Sequence, residues 1–207
     1  YIMLDELDKA IDDYGTVYKM VTKGKDLDVI HQVLFTRAHV FYSIGDLERI
    51  SDHARNIKEA AQEMFEKKLE FSDKAKEEFA VIKNAIHDIV KLTTLSFLEN
   101  DLKLATQVEP LEEVIDMLTR DLKARHIQRL QAGQCTLELG FVFNDCINNF
   151  ERVADHCSNL AVAVLEETGT QLQPHDYLMN IKTGDSSYRE HFDECLEKYC
   201  GALERLN

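Results

Sequence analysis

Apolar residues recur every three or four positions along most of this chain, which is the spacing of helices that bury one face. The longest such stretch follows Gly24, where Asp26 can cap a helix that continues to about residue 68. Its apolar positions keep helical spacing throughout: Ile30, Val33, Leu34, Val40, Phe41, Ile44, Leu47, Ala54, Ile57, Ala61 and Phe65. A helix of this length needs long neighbouring helices to cover its apolar face.

Turn and capping signals divide the chain into six predicted helices. Gly133 suits a helix end, Pro110 a first helical turn and Ser72 an N-cap. Ser187 and Glu190 have the spacing of a capping box. The predicted helices cover residues 2–21, 26–68, 72–107, 110–131, 136–168 and 187–206, and the least regular stretch is 171–184.

The composition agrees with an all-α protein, because Pro and Gly are scarce while Ala, Leu, Glu, Lys, Asp and Ile dominate. The net charge of −14 argues against a nucleic-acid partner and against a polybasic membrane anchor, since both need clustered positive charge. Such a surplus suits cations or a basic protein surface, although solubility alone is its commoner cause.

Neither a membrane span nor a signal peptide is visible, because no apolar run approaches the roughly 18 residues that a span needs. The chain opens at Tyr1 inside a helical pattern, so we expect it to be cut from a longer protein. The five cysteines form no Cys-x-x-Cys pair. We expect buried thiols in a reducing compartment, with a redox or metal role for Cys195 and Cys200 as the alternative.

One motif, E-R-x-x-D-H-x-x-N, occurs twice, about a hundred residues apart. The order of the surrounding helices also repeats, so an internal duplication is the economical interpretation. It predicts two tandem three-helix bundles, over residues 1–108 and 109–207. The repeated positions pair as Glu48 with Glu151, Arg49 with Arg152, Asp52 with Asp155, His53 with His156, and Asn56 with Asn159.

The two acids of each motif lie one helical turn apart and repel each other, which favours a cation or an arginine between them. Hard metal ions choose carboxylate oxygens, but two carboxylates are too few for a tight site. Glu112 and Asp116 on the fourth predicted helix repeat the same spacing, with Glu113 beside them. In the alignment of the halves, Asp5 corresponds to Asp116 and Tyr1 to Glu112, so the first site is expected to be weaker or truncated.

The residues that flank the acids leave alternatives open. The arginines either restrain the carboxylates or form ordinary surface ion pairs. The histidines point away from the neighbouring aspartates, which favours packing or solvent exposure over metal ligation. The asparagines either complete the metal site or bond to a neighbouring helix. These three pairs are Arg49 and Arg152, His53 and His156, and Asn56 and Asn159.

With DLERISDHARNI at 46–57, NFERVADHCSNL at 149–160 and VEPLEEVID at 108–116 in view, the chain resembles the PhoU family of phosphate-uptake regulators over nearly its whole length. The stretches RHIQRLQAGQCTLELGF, 125–141, and ERVADHCSNLAV, 151–162, are similar to the cytoplasmic PhoU-like domain at the C-terminus of bacterial Na/Pi-cotransporter family proteins. The resemblance implies an all-α fold of two tandem three-helix bundles.

The resemblance also implies multinuclear metal clusters, often of iron, with Mn, Zn or Mg as alternatives. The implied second site consists of Glu112, Asp116, Glu151 and Asp155, and the first of Asp5, Glu48 and Asp52. Ser51 and Ala154 stand where a glycine is common in the family. The acid missing at Tyr1 is the larger departure from the pattern.

The expected function is that of a metal-binding regulatory domain for phosphate uptake or signalling, and not that of an enzyme. The expected partner is a transporter membrane domain, in the same chain or a separate one, at the cytoplasmic face of the membrane. A homodimer is a further expectation. The alternative is a metal-free helical scaffold that binds another protein.

Two enzyme classes find no support in the sequence. A di-iron oxidase needs Glu-x-x-His motifs, and no histidine here follows a glutamate by three residues. A hydrolase would need a nucleophile elbow or a phosphate-cradling glycine loop, and neither occurs.

Overall fold

The computed structural model describes residues 27–166 and 186–206, with side chains from residue 40 onward. Every regular element in these ranges is a helix, which confirms the all-α prediction. The helices are α1 (Leu27–Lys67), α2 (Asp73–Glu99), α3 (Leu102–Ala105), α4 (Val108–Gln131), α5 (Leu137–Glu166), α6 (Ser186–Cys195), a π-helical turn (Leu196–Cys200) and α7 (Gly201–Glu204). The predicted helix over 2–21 and the irregular stretch 171–184 lie outside the described residues.

The chain divides into two compact units, residues 1–48 and 49–207. The described part of the first unit is the N-terminal portion of α1. The second unit contains the rest of α1 and all the other described helices. Among the described helices, none combines the length and the apolar character that crossing a bilayer requires.

In the second unit, α2, α4 and α5 pack around one hydrophobic core. Tyr199 and Leu203, near the C-terminus, also belong to this core. The sequence analysis assigns α2 to the first predicted bundle and α4 and α5 to the second, so this core contains helices from both. The predicted division of the chain into two bundles at residue 108 stays a prediction. Large core side chains that are fully buried come from all three helices: Ile82, Ile89, Ile115, Leu118, Leu122, Phe143 and Ile147.

Helix ends follow local capping more closely than they follow the apolar pattern. The prediction that one helix runs over 72–107 is wrong beyond Glu99, because Asn100 adopts a left-handed conformation with φ 50° and donates its N–H to Ser96 O. Asp101 then accepts hydrogen bonds from Lys103 N and Leu104 N and so caps the short helix α3.

Four predicted helix boundaries are confirmed within a residue or two. Ser72 caps α2 by accepting a hydrogen bond from Ala75 N at 3.3 Å. Gly133, with φ 66°, follows the end of α4, and Thr136 Oγ1 accepts from Leu139 N at the start of α5. α4 begins at Val108, so Pro110 falls in its first turn as expected.

Glu78 forms a buried ion pair that the sequence analysis did not predict. Glu78 on α2 is fully buried and accepts a 2.5 Å hydrogen bond from Arg129 Nη1, while Arg125 Nη1 lies 3.6 Å from its other oxygen. His126 stacks on Phe143 with ring centroids 4.7 Å apart. Burial lowers the pKa of His126, so its imidazole is neutral at pH 7.

All five cysteines are free thiols, and Cys146, Cys157 and Cys195 are buried. Burial raises the pKa of Cys146 and of Cys195 to about 11, so both remain protonated at neutral pH. These three thiols therefore behave as small packing groups, which is the first of the two interpretations.

Candidate metal centre

Three of the predicted ligands meet where α4 packs against α5. Glu112 and Asp116 lie one turn apart on α4, and Asp155 lies on α5. One carboxylate oxygen from each lies within 4.8 Å of the others, and all three residues are partly buried. Among the described residues, this is the group of acids close enough to share one metal ion.

The electrostatics of Asp116 show that negative charge is crowded here. Its pKa is raised, first by burial and then by the negative charges of Glu151 and Asp155. Arg120 and Lys123 act in the opposite direction without cancelling the effect. An additional positive charge at this position would therefore be stabilised by the carboxylates around it.

The fourth predicted ligand, Glu151, is engaged elsewhere. Its Oε2 atom accepts a 2.6 Å hydrogen bond from the Lys123 ammonium. The contact joins α4 to α5, because Lys123 lies on α4 and Glu151 on α5. The predicted set of four carboxylates is therefore divided into a cluster of three and one ion-paired glutamate.

The sequence analysis did not identify some further residues that lie near the cluster. Ser158 donates a hydrogen bond from its hydroxyl to Glu109, which joins α5 to the first turn of α4. Tyr188 on α6 is buried, and burial raises the pKa of its phenol, as does the nearby carboxylate of Glu113. Glu109 and Ser158 each lie three residues from a predicted ligand on the same helix, a spacing that could have indicated them.

The first copy of the motif shows no comparable cluster among the described residues. Asp52 forms a 2.6 Å ion pair with Arg55, three residues further along the same helix. Glu48 is exposed. Asp5, the remaining member of the predicted first site, lies outside the described residues, so metal binding at this site stays a prediction.

The paired histidines and asparagines connect α1 to α5. The His53 and His156 rings stack with their centroids 5.6 Å apart. His53 Nδ1 lies 2.9 Å from Asn149 Oδ1, which also accepts a 3.0 Å hydrogen bond from Asn56 Nδ2. The two histidines therefore pack against each other, and Asn56 forms a hydrogen bond between α1 and α5.

The other flanking residues differ between the copies. Arg152 Nη1 lies 3.4 Å from Asp155 Oδ2, so it can restrain that carboxylate, although both side chains are substantially exposed. Arg49 is exposed. Asn159 is also exposed and lies one turn after Asp155.

Comparison with known proteins matches residues 80–164 to the model of the PhoU domain. The matched segment contains the α4–α5 pair and all four acids of the second predicted site. This match confirms the PhoU resemblance for that segment.

One curated relative extends the similarity beyond the PhoU segment. The chain is 27% identical over 185 residues to the phosphate-specific transport system accessory protein PhoU homolog 1 of Thermotoga maritima. The alignment covers 88% of this chain and 75% of the relative. No solved structure matches the chain. The similarity to Na/Pi-cotransporter proteins stays a prediction.

Proposed function

We propose that this chain is a metal-binding regulatory domain that controls phosphate uptake or phosphate signalling. The observation that carries the proposal is the convergence of Glu112, Asp116 and Asp155 within the PhoU segment. The similarity to the Thermotoga maritima relative, a phosphate-specific transport system accessory protein, supports the biological setting.

The donor atoms fit a hard cation. Three carboxylates supply only oxygen ligands, which suit Mn, Mg or iron better than Zn, because Zn sites in proteins are built mainly from Cys and His. Burial raises the pKa of Asp116 and the charges of Glu151 and Asp155 raise it further, so a bound ion would stabilise the ionised carboxylate. A bound ion would supply positive charge and link α4 to α5, and Glu151 would join the ligands once released from Lys123.

The proposed partner is a phosphate transporter, either a membrane domain of the same protein or a separate chain. The domain would then act at the cytoplasmic face of the membrane, as expected for a relative of Na/Pi-cotransporter domains. Metal binding would change how firmly α4 and α5 are held together, and the transporter would respond to that change. The proposed role is regulation without catalysis.

The alternative function is a metal-free scaffold for protein–protein interaction. The ion pairs at the two motifs favour it, since Arg55 neutralises Asp52, Lys123 neutralises Glu151, and Arg152 approaches Asp155. In this alternative the repeated acids serve to pair helices and to keep the surface soluble.

Metal content distinguishes the two functions. Protein purified without chelator is analysed by plasma mass spectrometry beside the Asp116→Asn/Asp155→Asn variant. A Glu77→Gln/Asp145→Asn variant is the matched control, because it removes two exposed charges from α2 and α5 and leaves the cluster intact. We expect stoichiometric metal in the wild type and the control, and its loss in the cluster variant. Metal-free wild type that takes up none on reconstitution would favour the scaffold.

The regulatory role has its own test. Phosphate uptake is measured in cells that lack their own PhoU-type regulator and produce the full-length natural protein that contains this domain. We expect wild-type protein to restore control of uptake at high external phosphate and the Asp116→Asn/Asp155→Asn variant to fail. Equal control by the two proteins would separate regulation from the metal centre.

A further inference from the structure

The ammonium of Lys123 separates Glu151 from the other three carboxylates of the predicted set at α4 and α5. Lys123 lies seven residues after Asp116, which places the two on the same face of α4 two turns apart. Its ammonium is 2.6 Å from Glu151 Oε2, and the side chains of Lys123 and Glu151 are 30% and 35% exposed. A pair this sheltered is screened less by solvent than an ordinary surface ion pair.

Glu151 nevertheless lies beside the cluster along α5, because it precedes Asp155 by one helical turn. Asp155 is itself a member of the cluster. A glutamate side chain has three rotatable bonds, so a change of rotamer can move its carboxylate between neighbouring partners without a backbone shift. Glu151 thus has two candidate cations, the fixed ammonium of Lys123 and an ion in the cluster.

We propose that Lys123 is a tethered competitor of the metal: it holds Glu151 out of the coordination sphere and thereby sets the metal affinity of the centre. The inference rests on the proposed function and adds the residue that tunes it. A metal must displace the Lys123 ammonium to gain its fourth carboxylate. The affinity is therefore lower than four free carboxylates would give.

The test measures Mn²⁺ affinity by competition with a chelating fluorophore, for chelator-treated and reconstituted protein. Lys123→Met keeps the aliphatic stem and removes the ammonium. We expect it to bind Mn²⁺ about tenfold more tightly than wild type, because the released Glu151 adds a charged ligand. Thermal unfolding of the metal-free variant shows that the protein is folded.

Arg120→Met is the matched control, since it removes an equal charge from the same helix. Arg120 Nε donates to the backbone oxygen of Asp116, whereas the Lys123 ammonium donates to the Glu151 carboxylate. We expect this variant to gain less affinity than Lys123→Met, through general electrostatics alone. Equal gains in the two variants would overturn the proposal, because Lys123 would then act only as a nearby charge.

A double-variant cycle tests whether Glu151 carries the effect. In a Glu151→Gln background, Lys123→Met should gain no more than Arg120→Met gains, because there is no carboxylate left to release. An undiminished gain in that background would also overturn the proposal. If wild type binds Mn²⁺ and Lys123→Met binds it equally, only the role of Lys123 fails. If none of these proteins binds Mn²⁺, the metal centre itself fails.

Discussion

At the scale of single residues, two carboxyl groups experience opposite conditions. Asp116 is partly buried and lies near the acids Glu151 and Asp155, so its charge is unfavourable in the folded chain. Glu78 is fully buried but has Arg129 and Arg125 for partners. The first arrangement is typical of a site that awaits a cation, and the second of an internal structural contact.

For Asp116 we expect Asp116→Asn to stabilise the metal-free protein at pH 7, by less than about 1 kcal/mol because partial exposure screens the charges. The raised pKa means that the stabilising contribution of this carboxyl is complete below 3.8, its ordinary value, and is lost as pH rises through the folded-state pKa. The gain should therefore shrink as pH falls toward 3.8. Urea unfolding of both proteins with chelator present, at a series of pH values, measures this difference in unfolding free energy. No gain at pH 7 would show that the repulsion is relieved in solution.

For the buried ion pair we expect Glu78→Ala to cost about 3 kcal/mol of unfolding free energy, because it leaves two largely buried guanidinium groups without their carboxylate. The neighbouring Glu77→Ala is the control, since Glu77 is exposed and surface substitutions change stability by less than about 0.5 kcal/mol. Denaturant unfolding at neutral pH compares them. A similar cost for both variants would mean that the arginines find new partners.

At the scale of the elements, the break between α2 and α3 depends on one backbone conformation. Asn100 takes φ 50° and ψ 42°, a region that asparagine and glycine enter more easily than other residues. The backbone N–H of Asp101 also donates a hydrogen bond to Ser96 O, which stabilises the turn. This local stop, and not a loss of apolar spacing, ends the helix.

We therefore expect Asn100→Val to destabilise the protein by about 1–2 kcal/mol, because a β-branched residue in this conformation brings Cβ against the carbonyl oxygen. Asn100→Gly should be neutral or slightly stabilising. Glu99→Val, one residue earlier inside the helix, controls for the loss of helix propensity and should cost only a few tenths of a kcal/mol. Thermal unfolding of the three variants measures these changes in stability. Equal losses of stability in Asn100→Val and Glu99→Val would contradict the capping role of Asn100.

At the scale of the whole molecule, the proposed metal would join helices that the core already holds together. The carboxylates of the cluster belong to α4 and α5, which also supply residues to the core, so the proposed metal binding would be thermodynamically linked to folding. Any ligand that binds the folded chain alone raises its stability by mass action.

We expect Mn²⁺ at a hundred times its dissociation constant to stabilise the chelator-treated protein by about 2.7 kcal/mol, which corresponds to a rise in Tm of about 5–10 °C for a chain of this size. The Asp116→Asn/Asp155→Asn variant at the same Mn²⁺ concentration, and wild type in NaCl of equal ionic strength, should show no comparable rise. A shift that survives in the variant would place the stabilising ion elsewhere.

The sequence by itself determined the helical class and most helix boundaries, and it singled out the three acids that the structure brings together. Helical periodicity and capping are local properties, and the PhoU resemblance rests on local motifs, so each can be read from neighbouring residues. The sequence prediction failed at Asn100, where a backbone conformation ended the helix although the apolar pattern continued.

Only the tertiary structure decided which charges share a site. Asp52 and Asp155 occupy equivalent motif positions, yet Asp52 pairs with Arg55 while Asp155 joins two acids of α4. Glu151 has the same motif position as Glu48 but bonds to Lys123, a residue 28 positions away. The sequence likewise gives no sign that three further charged residues are largely buried, and the structure shows that they form an ion-pair group: Glu78, Arg125 and Arg129. These outcomes depend on the angle and register at which helices pack, which no local pattern specifies.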